Sequence, residues 1–229
     1  MRELYTNTDL KLINKYFIHK PLPRLEIPRT EIDGKRYYVT PNGDKYRSVT
    51  TILSQLSKDG IQKWRNQVGE AEANRISNKA STRGTKLHTM MEDYVANVED
   101  FALDKMPTTT SLFLDIQPYV DLNVEEVYGI EYPLYSDRLR SAGTSDLICK
   151  YNGKYTILDY KTSGKLKQEK WIENYFIQST AYALMCKERY DLDIEQIVIL
   201  IAVDGDLPQV FVKDPKDYVK RTIEVFDTY

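Results

Sequence analysis

The sequence predicts an α/β fold: one domain with a mixed central sheet flanked by helices. Three observations predict it. Asn152-Gly153 lies between two runs of β-formers, GTSDLICKY and KYTILDYKTS, the strongest short-range signal for a two-residue hairpin loop. A helical stretch, QEKWIENYFIQSTAYALMCKERY, separates that hairpin from the apolar run EQIVILIAV, so strand, crossover and strand make a βαβ unit, expected right-handed. Residues 61–98 carry a helical pattern. An antiparallel hairpin beside a parallel pair gives a mixed sheet with helices on its faces.

The elements follow in order. Residues 1–33 read as a short helix or coil and then an extended arm, because Pro21, Pro23 and Pro28 keep PLPRLEIP out of helix. GKRYYVTPNGDKYRSV reads as a second hairpin, turning at Pro41-Asn42-Gly43. Ser48 opens SVTTILSQL, a short helix with a hydroxyl-rich first turn, which Gly60 ends. The helical stretch that follows is expected to break near Ser81-Thr82. LDKMPTTT reads as a loop, SLFLDIQPYVDL as a helix interrupted or ended at Pro118, and VEEVYGIEYPLYS as a strand leading through DRLR into the first hairpin. After EQIVILIAV come a turn at DGDLP, an edge strand QVFVK, and a closing helix with Pro215 in its first turn. A chain of 229 residues buries one good core. The expected division is an arm over 1–35, a hairpin and helical region over 36–100, and a core over 101–229.

Composition excludes several classes. Hydrophobic content of 41% and charged content of 29% are ordinary for a soluble globular protein. The net charge of −2 gives no global basic field, yet an acidic centre with only a local basic channel remains compatible with a nucleic-acid partner. Eighteen tyrosines offer stacking surfaces for bases. Cys149 and Cys186 are far apart with no CxxC spacing, which argues against zinc, redox and iron–sulfur sites and makes them small core residues. TSGKLK lacks the upstream glycine of a Walker A loop, so no ATP site is indicated, and neither GxSxG nor HExxH occurs. IVILIAV is too short to span a bilayer, and MRELYTNTDL has no apolar signal region, so no membrane partner, no secretion and a cytoplasmic location are expected.

The hairpin carries the chemistry. Counting outward from Asn152-Gly153, Tyr151 faces Lys154, Cys149 faces Thr156, Leu147 faces Leu158 and Asp146 faces Asp159. Opposed residues share a face, and Lys161 lies on that face beyond Asp159. Like charges opposed in a sheet destabilise it. Water at a solvated strand end, a shared proton or a bound cation relieves the conflict. Ile148 and Ile157 continue the aspartate face while Leu147 and Leu158 occupy the other, so both faces are expected to be covered. Mg²⁺ or Mn²⁺ on oxygen ligands is then the economical explanation.

Other residues join this group by pattern. His88 sits on a helix with Glu92 four residues on and Gly84 four residues before. A helical glycine costs about 1 kcal/mol relative to alanine, which close approach of another element would justify. Arg83 and Lys86 add positive charge beside it, whereas His19 reads as structural or exposed. Glu131 falls near Asp146 if its strand pairs with 141–149, and is otherwise an exposed strand glutamate. Gln178 and Tyr182 share a helix face with Trp171, Tyr175 and Met185; the stripe reads as packing, with Gln178 the polar exception that needs partners. Lys165, Lys167 and Lys170 form either a solvated loop or a phosphate-contacting one. The helix start at Ser48, Thr50 and Thr51 is a candidate phosphate site.

These residues resemble a known family. GTSD, then DYK with its aspartate thirteen residues later, then QSTAY, preceded by RGTKLH, resembles the PD-(D/E)xK nuclease superfamily, whose fold is restriction-endonuclease-like. The order H…E…D…DxK…QxxxY is similar to the RecB-type exonuclease branch. YYVTPNGDKYRSVTTIL…WR…RGTKLHTMMEDY is similar to phage-encoded exonucleases and the mitochondrial genome maintenance exonuclease. The resemblance spans residues 36–203. It implies that His88, Asp146, Asp159 and the Tyr160 carbonyl ligate Mg²⁺ or Mn²⁺, with Glu131 a supporting acid. Lys161 would orient the attacking water and stabilise charge on the phosphate; Gln178 and Tyr182 would brace the site or contact substrate. Arg83, Lys86, Lys165, Lys167, Ser48, Thr50 and Thr51 would contact DNA, and residues 61–98 would arch over the strand. The implied activity is a DNA exonuclease acting on single-stranded ends, with replication or recombination proteins as partners and a host-cytoplasm setting if phage-encoded. A structure-specific endonuclease and a non-cleaving DNA-binding module are the alternatives. Ser145 stands where the superfamily name has proline, and two cysteines exclude the iron–sulfur subgroup.

Overall fold

Asn152 and Gly153 take positive φ, 50° and 77°, the backbone that a type I′ hairpin turn requires. The rest of the sheet is built outward from this turn. The computed structural model describes residues 15–229. Along the chain run β1 (Ile18–His19), β2 (Arg29–Ile32), β3 (Lys35–Val39), β4 (Lys45–Ser48), α1 (Val49–Val68), α2 (Glu70–Val95) and α3 (Pro107–Asn123). They are followed by β5 (Val124–Ser136), β6 (Ser141–Tyr151), β7 (Lys154–Ser163), α4 (Glu173–Tyr190), β8 (Gln196–Val203), β9 (Gln209–Lys213) and α5 (Val219–Thr228). Short 3₁₀ turns at Glu169–Trp171 and Pro215–Tyr218 lead into α4 and α5.

Among the described residues the strands form one nine-stranded mixed sheet, ordered β2-β3-β4-β6-β7-β8-β9 with β5 and β1 off this path. β6 and β7 pair with Leu147 opposite Leu158, Cys149 opposite Thr156 and Tyr151 opposite Lys154. β7 and β8 are parallel, and β9 closes that edge antiparallel. β5 accompanies β6 along its whole length, so β6 has one edge left, and two strands share it. β7 takes Leu147–Tyr151, and β4 takes Ser141 and Ala142. Between them, at residues 143–146, the sheet forks.

Two helical layers cover the sheet. α2 and α3 pack Leu87, Met91, Phe113 and Ile116 against Leu147, Leu158, Val198 and Leu200. α1, α4 and α5 pack Ile52, Phe176, Met185 and Phe226 against Ile148, Ile157, Ile197 and Ile199. The alternation of side chains along β6, β7 and β8 sorts these two sets. Cys149 and Cys186 are buried free thiols within the layers. Among the described residues, no helix is long and apolar enough to cross a membrane.

The helices depart from expectation in four places. α1 runs through Gly60 and ends at Gly69, whose φ of 85° and N–H bond to the Arg65 carbonyl terminate it. α2 is continuous through Ser81-Thr82; its buried Ala73, Leu87, Met90 and Met91 dock it on both sides of that weak dipeptide. α3 begins at Pro107, in the stretch expected as loop, because proline suits a first helical position. It also continues past Pro118, which sits on the exposed side of the helix while Ile116, Gln117 and Val120 beside it are buried. The short helix or coil read near the start falls on residues 1–14, outside the described residues. The extended arm beyond it is tied down, with β1 parallel to β5 and β2 antiparallel to β3.

Candidate active site

The acids meet at the fork. β5 and β6 pair Ile130 with Leu147 and Tyr132 with Ser145, which sets Glu131 opposite Asp146. Glu131 leaves strand geometry there, at φ 41°. A non-glycine residue in that region costs about 1–3 kcal/mol and is held by its surroundings. Here Arg24 Nη2 donates to the Glu131 carbonyl at 2.9 Å. Gly129 gives the distorted strand room, since a Cβ on it would stand 2.5 Å from Cδ2 of Tyr132. Asp146 turns into the gap that β7 leaves, and its Oδ2 accepts the Tyr160 N–H at 2.9 Å in place of a ladder carbonyl.

His88 arrives from α2. Its Nδ1 lies 3.4 Å from Asp146 Oδ2, and its ring meets Tyr160 edge-on with centroids 6.1 Å apart. One donor atom each from His88, Glu131 and Asp146 lies within 4.8 Å of the others. A cleft of about 420 Å³, lined by Gly84, Thr85, Thr89 and Glu92 as well as His88 and Glu131, opens onto this group. Burial, then Asp146 and Glu92, push the Glu131 carboxyl up to about 7. Burial also opposes charge on His88 and Asp146, but the two outweigh it for each other: the imidazole is raised above its ordinary range and the carboxyl held below it.

A second buried pair lies beside the first. Lys161 forms an ion pair with Asp159, and Gln178 Nε2 donates to Asp159 Oδ1 at 3.1 Å. Lys161 Nζ also sits 5.1 Å from the Tyr175 ring centroid. Burial, opposed by Lys161 and reinforced by Asp146, pushes Asp159 up to about 6. Lys161, despite its burial, is held above the usual lysine range by Asp159 and Asp146. Tyr182 is buried with its hydroxyl at the fork, where a Cβ on Gly143 would come within 2.7 Å of it.

The donor group therefore differs from the one the resemblance implies. Glu131 joins His88 and Asp146, while Asp159 is taken by Lys161 and Gln178. An octahedral Mg²⁺ holds ligands at 2.0–2.1 Å, so opposite ligand atoms stand about 4.2 Å apart. Adjacent ligand atoms stand about 2.9 Å apart, so three donors within 4.8 Å of one another must draw together to share an ion, and one imidazole with two carboxylates suits Mn²⁺ as well. Two like carboxyls with only a shared histidine between them have the electrostatics that a cation relieves.

The remaining candidates divide into three sets. Arg83 pairs with Asp204. Burial, then Lys165 and Arg83, hold Lys167 below the usual lysine range, so these three cations crowd one patch. Lys86 is apart from them, with Nζ against Met106 Sδ. Ser48 caps α1, accepting the Thr51 N–H at 3.0 Å and lying 2.7 Å from Thr51 Oγ1 and 3.1 Å from Thr50 Oγ1. Its strand partner is Ala142, next to Gly143, so this helix start stands at the fork. Gly84 borders the cleft without a tight contact: an added Cβ would lie 3.8 Å from Thr162 Oγ1, so packing does not demand the glycine. Ser145 is buried with an unpartnered hydroxyl, and His19 Nε2 donates to the Val95 carbonyl at 2.9 Å, away from the fork. Sequence reasoning missed Arg24, whose PLPRLEIP context carries no chemical signal, and Gly143, whose place in GTSD was the available one.

No family model matches the chain. It is 22% identical over 174 residues to the human (Homo sapiens) mitochondrial genome maintenance exonuclease 1, a match covering 70% of this chain and 50% of that protein. The chain thus spans about half the length of this curated relative. A solved structure from Eubacterium rectale, provisionally named an exonuclease, is similar at a TM-score of 0.41 and 11% identity, over 64% of this chain and 68% of that one.

Proposed function

We propose that this protein is a divalent-metal-dependent deoxyribonuclease that hydrolyses phosphodiester bonds, and that it works as an exonuclease on single-stranded ends. The observation that carries the reading is the convergence of His88, Glu131 and Asp146 beside a buried Asp159–Lys161 pair, on a cleft at the fork of the sheet. The 22% identity to a protein named as an exonuclease supports the same chemistry.

His88, Glu131 and Asp146 would hold Mg²⁺ or Mn²⁺, with the Tyr160 carbonyl as a further oxygen ligand and Asp159 free to join if Lys161 releases it. When bound there, the ion would supply Lewis acidity toward a phosphoryl oxygen and would lower the pKa of a water. Lys161 keeps a positive charge in a buried place, where it stabilises negative charge gathering on the phosphate. Asp159 and the Tyr175 ring hold that ammonium, and Gln178 fixes Asp159 in turn. Tyr182 braces the opposite side of the fork. The patch of Arg83, Lys165 and Lys167, and the exposed Lys86, would meet phosphates along the strand. Ser48 is committed to capping, with the Thr50 and Thr51 hydroxyls against it, so these hydroxyls and the remaining first-turn N–H groups of α1 would take that role together.

The test is digestion of linear and circular DNA, single- and double-stranded, with Mg²⁺, Mn²⁺ or EDTA. Degradation of linear single strands that EDTA stops is the expected result. Circles cut as fast as linear DNA would move the assignment to an endonuclease. Binding without cleavage in every metal would leave a DNA-binding module.

A further inference from the structure

A pocket of about 450 Å³ lies outside the fork, bounded by the β3–β4 hairpin, the β5–β6 turn and the end of α5. Lys45, Arg47, Arg138 and Arg140 line it with Tyr37, Asp227 and Tyr229. In a chain of net charge −2, four cations around one cavity make a local field of the opposite sign. The neighbouring acid does not neutralise them. Asp137 is taken by Arg189 at 2.8 Å and accepts the Tyr46 hydroxyl at 2.9 Å. Arg47 donates to the Tyr229 main-chain oxygen at 2.6 Å. Lys45, Arg138 and Arg140 have no ion-pair partner among the described residues. Pairing of Tyr37 with Arg47 puts the ring and the guanidinium side by side on one face of the hairpin.

We infer that this pocket binds the phosphodiester backbone of single-stranded DNA, with Tyr37 as a stacking surface for a base. Guanidinium groups match phosphate oxygens in pairs, and a ring beside them takes any base without reading sequence. Arg140 precedes Asp146 by six residues of β6 and its approach, roughly 20 Å at about 3.3 Å per residue. The pocket would thus grip the strand several phosphates away from the reacting one. The ligand's identity as DNA rests on the nuclease reading above.

The experiment is fluorescence anisotropy with a labelled 20-nucleotide single strand in EDTA, on the full chain, across a salt series. Lys45→Ala/Arg138→Ala is compared with a charge-matched control, Lys150→Ala/Lys154→Ala, at the far end of the sheet. Two lost phosphate contacts lower the log–log salt slope by about 1.4 and weaken binding on the order of 20-fold at 0.1 M salt. The control is expected to bind as the wild type does, and thermal melting checks that both fold. A wild type that degrades DNA while the pocket variant binds normally overturns the pocket alone. A wild type that binds through the pocket and cleaves nothing overturns the nuclease reading alone.

Discussion

His88 Nδ1 lies 3.4 Å from Asp146 Oδ2, and the same carboxylate faces Glu131 across the β5–β6 pair. One imidazole from a helix and two acids from adjacent strands thus meet where the sheet has opened. Opposed acids weaken a sheet, so a fold that keeps them there gains something else. If that is a divalent ion, calorimetry will detect Mn²⁺ binding to the wild type. Loss of an outer-shell partner already costs about 10–100-fold in metal affinity, so His88→Ala is expected to lose at least that much. Asp146→Asn is expected to abolish binding. Unchanged Mn²⁺ affinity in both variants would remove the metal centre from this site.

Glu131 gives the pH dependence a sign. Its carboxyl, with an ordinary value of 4.5, is pushed up to about 7 in the folded protein. A raised carboxyl resists ionisation, so its penalty is absent below the unfolded value, grows through the interval and is complete above the folded one. The full shift corresponds to about 3 kcal/mol, which partial exposure screens to about 1–2 kcal/mol. Glu131→Gln is therefore expected to stabilise the metal-free protein at pH 8 and leave it nearly unchanged at pH 5. Mn²⁺ is expected to stabilise the wild type far more than the variant. Urea unfolding at both pH values, with EDTA or Mn²⁺, measures all four numbers.

Lys161 separates stability from catalysis. Removing one partner of a buried ion pair costs about 3–5 kcal/mol, because the other charge is stranded. Asp159 already sits near 6, and loss of Lys161 raises it further. Lys161→Ala should thus be more destabilising at pH 8, where Asp159 must stay charged, than at pH 5, where it can take a proton. Where the variant still folds, Mn²⁺ binding is expected to persist while turnover falls by about 10²–10³-fold, the scale for one lost oxyanion donor. A variant cleaving at the wild-type rate would take Lys161 out of the chemistry.

The sheet was readable because its signals are local. Asn152-Gly153 pins the β6–β7 register, and the alternation of Ile and Leu on either side tells the two layers apart. The helix ends were less readable. Ser81-Thr82 and Pro118 weaken a helix by propensity, but buried residues on either side hold α2 and α3 to their layer, and packing decides; α1 is anchored only ahead of Gly60, by Val49, Ile52 and Leu53. The site was legible as a set of residue types and not as an arrangement. Counting along the hairpin puts Asp146 opposite Asp159 and stops there. It does not contain the fork, which arises because β4, a strand from a hundred residues upstream, claims the same edge of β6 as β7 does. The fork is what frees Asp146 to turn toward His88 and Glu131. Arg24 acts through main-chain carbonyls, and no side-chain pattern announces such a contact.

Gly143 stands at the fork because Tyr182 fills the space its side chain would take. A Cβ there would lie 2.7 Å from the Tyr182 hydroxyl oxygen, 3.1 Å from Cε1 and 3.3 Å from Cζ. Tyr182 is 3% exposed and comes from α4, so the ring has little room to retreat. Overpacking of this kind costs about 1–3 kcal/mol. Gly143→Ala is expected to destabilise by that amount and to push α4 outward, loosening the Gln178–Asp159 bond one helical turn away. Tyr182→Phe removes the nearest atom of the clash, so the double variant should recover part of the loss. Contacting residues are where additivity fails, and the thermodynamic cycle reads that failure directly. If the two losses simply add, Tyr182 does not hold the fork open, and Gly143 serves some other need.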